Sequence, residues 1–367
     1  GCMSQRYQKE IIEEVPEVDA VLGTTSYGDI VKALEEAVAG NHFEEFRDID
    51  YLPDTGSKRV LTTGGHFGYL KIAEGCDKHC TYCIIPKLRG KFRSVPMERL
   101  IAQAEDMAEQ GVKELILVAQ ETTVYGKDLY GKKSLHILLK KLCEIRGIRW
   151  IRILYCYPEE IYDELIETIR DEKKICHYLD IPIQHASDRI LKRMGRRTSK
   201  QELIDIVGKL RKEIPDIVLR TTLITGFPGE TEEDHEELKE FVDEMEFDRL
   251  GVFTYSPEEN TPAAEMADQV PEEVKEERRD ELMELQQEIS YDRGQDRIGQ
   301  ELLVMIEGKV ADESAYIGRT YGDAPKVDGY IFVQTGELLM TGDFAKVRVT
   351  GALEYDLIGV LSDEYTE

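Results

Sequence analysis

The chain has 367 residues, 41% of them hydrophobic and 33% charged, so it is long enough for two or three domains with buried cores. Its net charge of −27 repels phosphate and attracts basic partners, so we do not expect it to bind nucleic acid. No run approaches the ~20 apolar residues of a membrane span, and we expect neither a secretory signal peptide nor a disulfide framework among the seven cysteines. These features favour a cytoplasmic protein.

Residues 1–50 have the pattern of the end of an α/β domain, in which a short apolar run lies between two helix-like stretches. Residues 41–67 show no clear periodicity and are punctuated by proline and glycine, so we predict a linker and place it at 51–67. The elements predicted in the first part are helices at 4–15 and 27–39 and a strand at 19–22.

In residues 68–293 apolar strand runs alternate with amphipathic helices, which predicts a parallel sheet with right-handed crossovers. Six such units indicate an open (β/α)6 barrel of TIM-like type, and we expect its chemistry at the C-terminal ends of the strands. Pro271 opens and Gly294 ends a long charged helix that closes this unit. The predicted strands are 69–73, 114–119, 150–154, 178–181, 217–224 and 250–255, with helices near 96–110, 134–145, 159–170, 199–213 and 231–245.

Residues 294–367 change in character, because short strands separated by turn residues replace the helices. Five strands within so short a segment predict a small antiparallel β-barrel of OB-like type. The predicted strands are 301–306, 315–318, 329–333, 345–350 and 355–361.

Three cysteines with a C-x3-C-x2-C spacing, Cys76, Cys80 and Cys83, directly follow the first strand of the predicted barrel. Thiolates are soft ligands suited to iron–sulfur clusters or zinc, and both kinds of centre commonly take four protein ligands. Three close thiols leave one metal position open for a substrate. His79 is the alternative fourth ligand of a closed zinc site, but it directly precedes Cys80, and adjacent side chains rarely converge on one tetrahedral metal.

Polar or glycine-rich segments follow three other strands of the predicted barrel, where a ligand is expected to lie. Each has a structural alternative: a turn, a helix cap or a satisfied core residue. Arg193, Arg196 and Arg197 either face an anion or form a solvated helix end, and Cys143, Cys156 and Cys176 have the pattern of buried structural thiols. The candidate ligand contacts are Gln120, Gln184, His185, Arg220, Gly226, Phe227, Gly229 and Glu230.

The cysteine spacing resembles the signature of the radical S-adenosylmethionine (SAM) enzymes, and the whole chain resembles their methylthiotransferase branch. The segments 181–188 (IPIQHASD) and 226–231 (GFPGET) are similar to that branch's barrel, and 294–362 is similar to its TRAM barrel. The resemblance implies a [4Fe-4S] cluster on Cys76, Cys80 and Cys83, with SAM on the fourth iron. It further implies that Tyr82 packs near the adenine of SAM.

Residues 318–329 are similar to the type of methylthiotransferase that modifies the β-carbon of an aspartate in ribosomal protein S-12. Between residues 300 and 361, ten acidic residues stand against five basic ones, which favours a basic protein substrate over tRNA. The resemblance also implies a cytoplasmic electron donor. Two alternatives remain open: modification of a tRNA adenosine, and a zinc-stabilised interaction module without catalysis.

The opening segment 1–7 resembles the end of the N-terminal domain of the same branch. In that branch three cysteines of this domain hold a second [4Fe-4S] cluster that supplies the added sulfur. Cys2 matches the last of them, and the other two have no counterpart in this sequence. We therefore expect the chain to be an N-terminally truncated form, with the second cluster in the full-length protein alone.

Overall fold

The computed structural model describes residues 1–53, 59–62 and 64–362, and it contains an N-terminal α/β piece, a six-stranded parallel sheet and a closed five-stranded barrel. None of the described helices is long and apolar enough to cross a membrane. The helices are α1 (Cys2–Arg6), α2 (Gln8–Glu14), α3 (Ile30–Val38), α4 (Ile85–Arg89), α5 (Met97–Glu109), α6 (Lys127–Tyr130), α7 (Leu135–Cys143), α8 (Asp163–Asp171), α9 (Asp188–Arg193), α10 (Lys200–Glu213), α11 (Glu232–Met245) and α12 (Glu272–Gln295). The strands are β1 (Ala20–Leu22), β2 (Phe43–Glu45), β3 (Phe67–Lys71), β4 (Ala73–Glu74), β5 (Arg93–Ser94), β6 (Glu114–Val118), β7 (Trp150–Ile153), β8 (Ile175–Asp180), β9 (Val218–Thr225), β10 (Arg249–Thr254), β11 (Glu301–Lys309), β12 (Ala315–Thr320), β13 (Ile331–Gln334), β14 (Phe344–Ala352) and β15 (Leu357–Leu361).

The N-terminal piece pairs β1 with β2 in parallel, with Ala20 opposite Phe43. The single helix predicted at 4–15 is two helices, α1 and α2, which meet at Tyr7. Strand β2 falls where no periodicity was detected, because three residues are too short to show an alternation. The predicted linker 51–67 lies partly outside the described residues, at 54–58 and 63, and its last residue, Phe67, begins β3.

The central sheet has the strand order β10-β9-β8-β7-β6-β3, and every neighbouring pair is parallel. Strands β3 and β10 are its two edges, so the predicted open barrel is confirmed. The crossover helices bury their apolar faces against the sheet in one continuous core, and capping boxes begin two of them. Ser199 accepts a hydrogen bond from the backbone of Glu202 in α10, and Thr231 does so from Asp234 in α11.

The long helix α12 follows Pro271 as predicted, but Gly294 does not end it. Gly294 is buried inside the last turn, where a β-carbon would lie 3.0 Å from the Ala352 side chain. The glycine therefore allows α12 to approach strand β14 of the C-terminal barrel closely.

The C-terminal barrel is closed, with the strand order β11-β12-β13-β15-β14. Four neighbouring pairs are antiparallel as expected, whereas β13 and β15 are parallel, with Ile331 opposite Leu357. The parallel pair arises because β14 pairs with β11 and closes the barrel, which leaves β15 to return beside β13. Residues 363–367 of the predicted barrel segment lie outside the described residues.

The C-terminal barrel covers the N-terminal ends of the central strands. Trp150, the first residue of β7, meets Phe344 edge to face at 4.8 Å, and Arg249, the first residue of β10, is 2.6 Å from Asp323. Glu114, at the start of β6, accepts hydrogen bonds of 2.7 Å from both Arg152 and Arg319. This end of the sheet is therefore sealed, and the open end is the one at which the cysteines lie.

Candidate active site at the C-terminal end of the sheet

The cysteine loop is fixed to the sheet directly after β4. Gly75 has a φ of +76°, and a β-carbon there would lie 2.1 Å from the carbonyl oxygen of Lys91. The next residue, Cys76, donates its backbone N–H to the Gly90 carbonyl at 3.1 Å. The loop therefore requires glycine at position 75 to bring Cys76 against the end of the strand.

The three cysteines of the motif are free thiols on one short loop. Cys76 and Cys80 are buried and Cys83 is half-buried. The Cys76 sulfur accepts the Lys78 backbone N–H at 3.4 Å, and the Cys80 sulfur lies 3.6 Å from the Tyr157 hydroxyl. Burial raises the pKa of Cys76 to about 11 and also raises the pKa of Cys83. A metal centre bound here must displace thiol protons.

The three thiols do not converge on a single ion. Across residues 1–53, 59–62 and 64–362, no group of three His, Cys, Asp or Glu side chains is arranged to hold one metal ion. His79, the alternative fourth zinc ligand, is exposed. A four-iron cluster binds each thiolate through a different iron, so it needs neighbouring thiols that are spread apart. The arrangement is compatible with such a cluster.

Buried polar atoms without partners surround the cysteine loop. In the described part of the chain, Oε1 of Gln120, Oε2 of Glu121 and both Nε and NH1 of Arg196 are buried and accept or donate no hydrogen bond. Buried polar atoms are nearly always paired, so these atoms are candidates for contact with a polar ligand, although unpaired atoms also lie elsewhere, such as NH2 of Arg152 at the sealed end.

Two of these residues were not among the sequence-based candidate contacts. The guanidinium of Arg196 lies 4.4 Å over the Tyr157 ring and donates one hydrogen bond, of 2.9 Å, to the Pro182 carbonyl. Glu121 is buried, and burial raises its pKa to about 7, although hydrogen bonds from Thr123 act to lower the pKa. Glu121 directly follows Gln120 at a strand end, a signal that the sequence contained. The sequence left open whether Arg196 faces an anion or forms a solvated helix end. The structure shows that Arg196 is buried.

Three of the candidate residues lie in or against the turn after β9: His185, Phe227 and Glu230. His185 accepts the Ser187 backbone N–H at Nδ1 over 3.0 Å, and its Nε2 lies 3.6 Å from the Glu230 carboxylate. Glu230 accepts the Phe227 backbone N–H at 3.1 Å and pairs with Arg278 at 3.0 Å. Phe227, His185 and Glu230 are all buried, so their contact with a ligand stays a prediction.

The two glycines of the same turn have positive φ angles, 67° at Gly226 and 81° at Gly229. A β-carbon at Gly226 would lie 2.1 Å from the Lys275 side chain, and one at Gly229 would lie 2.8 Å from the Arg193 guanidinium. Both glycines are therefore required by packing within the chain. Tyr82 meets Phe227 edge to face at 6.5 Å, which places this turn beside the cysteine loop.

Gln184 and Arg220 lie at different depths in the sheet. Gln184 extends the end of β8 through a bridge to Leu223 and is half-buried. Arg220 is the third residue of β9 and pairs with Asp180 at 2.8 Å and with Asp328 of the C-terminal barrel at 3.3 Å. Arg220 therefore lies nearer the sealed end than the other candidates.

Cys2 lies at the same end of the sheet as the cysteine loop. Its sulfur accepts a hydrogen bond of 3.2 Å from Nε of Arg89, at the end of helix α4. Another guanidinium nitrogen of Arg89 is 3.2 Å from Glu74, which precedes the loop. The N-terminal piece therefore presents Cys2 toward the open end.

Two family models match the central sheet and the C-terminal barrel of this chain. The model of the Radical SAM superfamily matches residues 70–242, and that of the TRAM domain matches residues 298–361. Proteins named "Ribosomal protein uS12 methylthiotransferase RimO" are similar over nearly the whole chain: one from Lachnoclostridium phytofermentans is 65% identical over 98% of this chain and 82% of its own length. Another, from Clostridium perfringens, is 51% identical over 99% of this chain and 81% of its own. Among solved structures, the radical SAM enzyme coproporphyrinogen III oxidase (HemN) from Escherichia coli aligns with a TM-score of 0.49 and 17% identity, over 77% of this chain and 66% of that one.

Proposed function

Because the chain belongs to the RimO family of ribosomal protein uS12 methylthiotransferases, which are radical SAM enzymes, we propose that the open end of its sheet acts on the β-carbon of an aspartate of uS12. The observation that carries the proposal is the presence of three free thiols and of unpaired buried polar groups at the C-terminal end of the same sheet.

Cys76, Cys80 and Cys83 are the proposed protein ligands of the [4Fe-4S] cluster. Their number leaves one iron without a protein ligand. When bound, the cluster supplies the electron that cleaves SAM to methionine and a 5′-deoxyadenosyl radical, which abstracts hydrogen. The protein's part is to keep water and competing ligands from the thiols, and the burial of Cys76 and Cys80 supports that role.

The unpaired polar groups fit the charged ends of SAM. Nε and NH1 of Arg196 each have a free N–H, and either one can donate a charge-assisted hydrogen bond to the carboxylate of SAM. The free oxygens of Gln120 and Glu121 are suited to its amino group. In this proposal the ring of Tyr82 packs against the adenine, and the side chain of Gln184 contacts the ribose. His185, Phe227 and Glu230 would act by shaping the Gly226–Gly229 turn.

The proposal also covers the class of substrate and a second cluster. The acidic C-terminal barrel supports a basic protein substrate over a tRNA. Cys2 is proposed as one ligand of an auxiliary [4Fe-4S] cluster that supplies the sulfur, and the other two ligands are not in this sequence. A reducing cytoplasm, with its electron donors, is the expected compartment.

Anaerobic reconstitution with iron and sulfide tests the proposal. We expect about four irons per chain and formation of 5′-deoxyadenosine from SAM with dithionite as reductant. Near-zero iron, or stoichiometric zinc without sulfide, would overturn it. Binding assays at several salt concentrations test the substrate: tight, steeply salt-dependent tRNA binding without affinity for uS12 would favour modification of a tRNA adenosine.

A further inference from the structure

Tyr155, two residues beyond the end of β7, has a backbone conformation that residues other than glycine rarely adopt. Its φ is +61°, and Gln184, beyond the neighbouring strand β8, has a φ of +74°. Non-glycine residues held in such conformations cluster at active sites and ligand clamps. Two of them on adjacent strand ends direct attention to this part of the opening.

The backbone of Tyr155 is held on both sides by polar groups from neighbouring strand ends. Its N–H donates to the Asp180 carboxylate at 3.1 Å. Its carbonyl oxygen accepts from both the backbone N–H and the hydroxyl of Thr122, at 3.0 and 2.9 Å. The backbone conformation is thus fixed by hydrogen bonds, and with it the direction in which the Tyr155 side chain leaves the backbone.

The side chain of Tyr155 faces open space although it lies within the opening of the sheet. It is 51% exposed, and within the described part of the chain its hydroxyl has no hydrogen-bond partner. Tyr157, two residues later, is the contrast: it packs under Arg196 and against the Cys80 sulfur. One tyrosine is therefore used by the cysteine loop, and the other remains available.

Tyr155 follows β7 at the same end of the sheet as the cysteine loop, and Tyr157, two residues later, has its hydroxyl 3.6 Å from the Cys80 sulfur. A phenol is protonated at neutral pH, so it can donate a hydrogen bond. Asp180 and Arg220 already pair with each other at 2.8 Å. The free phenol is thus a donor suited to an incoming carboxylate.

We propose that Tyr155 is a substrate-contacting residue whose hydroxyl donates a hydrogen bond to the side-chain carboxylate of the target aspartate and so sets the position of its β-carbon. This inference rests on the proposed function. A fixed donor beside the cysteine loop limits how the aspartate can turn, which matters because hydrogen abstraction requires the reacting atoms to be held close together.

The test measures the transfer of the abstracted hydrogen atom from the target aspartate to deoxyadenosine. The reconstituted chain is supplied with SAM, dithionite and a uS12 peptide whose target aspartate is dideuterated at the β-carbon. Deuterium moves from that carbon to the 5′ carbon of deoxyadenosine, so the labelled fraction of deoxyadenosine measures correct positioning. For Tyr155→Phe we expect the labelled fraction to fall and the peptide KM to rise, each by about tenfold, the value of one hydrogen bond to a charged group.

Two further variants distinguish the effect of losing the phenol from that of a changed backbone and from that of losing any exposed tyrosine hydroxyl. Asparagine tolerates positive φ, so Tyr155→Asn keeps the backbone and should show a loss at least as large as that of Tyr155→Phe. Tyr291→Phe removes an exposed hydroxyl from α12 and should match the wild type. Wild-type labelling and KM in both Tyr155 variants would overturn this inference alone. Absence of labelling in the wild type, despite SAM cleavage, would overturn the proposed substrate and the inference with it.

Discussion

Two buried glutamates at opposite ends of the parallel sheet have different surroundings. At the N-terminal end, burial opposes ionisation of Glu114, yet Arg152 and Arg319 outweigh it and lower the pKa of that carboxyl. At the C-terminal end, burial raises the pKa of Glu121 to about 7, and one of its oxygens has no partner among the described residues. Glu114 is thus paired with two cations, whereas Glu121 has hydrogen bonds from Thr123 and no ion-pair partner among the described residues.

This comparison distinguishes charged groups that stabilise the fold from charged groups that we propose to bind a ligand. A buried charge is costly unless it is paired and hydrogen-bonded. The ion pair of Arg319 with Glu114, 2.7 Å long, joins the C-terminal barrel to the sheet, and Arg319 also pairs with Glu307 within the barrel at 2.6 Å. Nε and NH1 of Arg196 have no partner among the described residues, and we propose that a bound cofactor supplies one.

The largest expected effect is the loss of the cluster at the open end. Cys80→Ala should reduce iron incorporation and SAM cleavage to background, because a thiolate ligand is removed. Cys143→Ala, which removes a half-buried thiol from α7, is the control and should keep both. Iron and sulfide analysis with a deoxyadenosine assay checks this. Retained SAM cleavage in Cys80→Ala would remove Cys80 from the site.

At the sealed end, Arg319→Met should lower the free energy of unfolding by about 3 kcal/mol, because it leaves a buried carboxylate with one cation instead of two. Urea unfolding measures the change. Arg348→Met breaks an exposed pair with Glu301 and should cost less than about 1 kcal/mol. Equal, small effects in the two variants would show that the buried network does not hold the barrel in place.

Arg196→Met should weaken SAM binding by roughly tenfold to a hundredfold, the value of one or two charge-assisted hydrogen bonds. Arg197→Met, at the adjacent exposed position, should bind SAM like the wild type. Equilibrium dialysis of the reconstituted proteins gives the two affinities. If both variants match the wild type, Arg196 is not a SAM contact.

The smallest effect concerns pH. Glu121 has a pKa raised to about 7, so it is largely protonated at about pH 6 and ionised at about pH 7.5. The amino group of SAM needs an acceptor, so SAM affinity should rise with pH across this range, by roughly fivefold to tenfold. Glu121→Gln should flatten the dependence. An equally steep rise in the variant would assign the titration to another group.

The overall architecture could be predicted from the sequence because its signals are local and repeated. Strand β6, for example, is a continuous apolar run after Glu114, typical of a strand buried on both faces. Short elements gave no such signal: β2 has three residues and α6 has four. The parallel pairing of β13 with β15 depends on which strand closes the barrel, and a list of strands does not contain that information.

The candidate site was predictable to the extent that it lies in one loop. The spacing of Cys76, Cys80 and Cys83 identified the loop, and the structure places all three thiols there. Arg196 could not be assigned from sequence, because its burial against Tyr157 depends on two distant segments meeting. The depth of Arg220, which contacts Asp328 of the C-terminal barrel, required the docking of the two barrels to be known.

The central claim is that the open end of the sheet holds a four-iron cluster with one iron available to SAM. The most direct measurement is the electron paramagnetic resonance spectrum of the reconstituted, dithionite-reduced chain with and without SAM. We predict the signal of a reduced [4Fe-4S] cluster whose g values change when SAM is added, and no such signal in Cys80→Ala. A cluster signal that saturating SAM leaves unchanged would contradict the account.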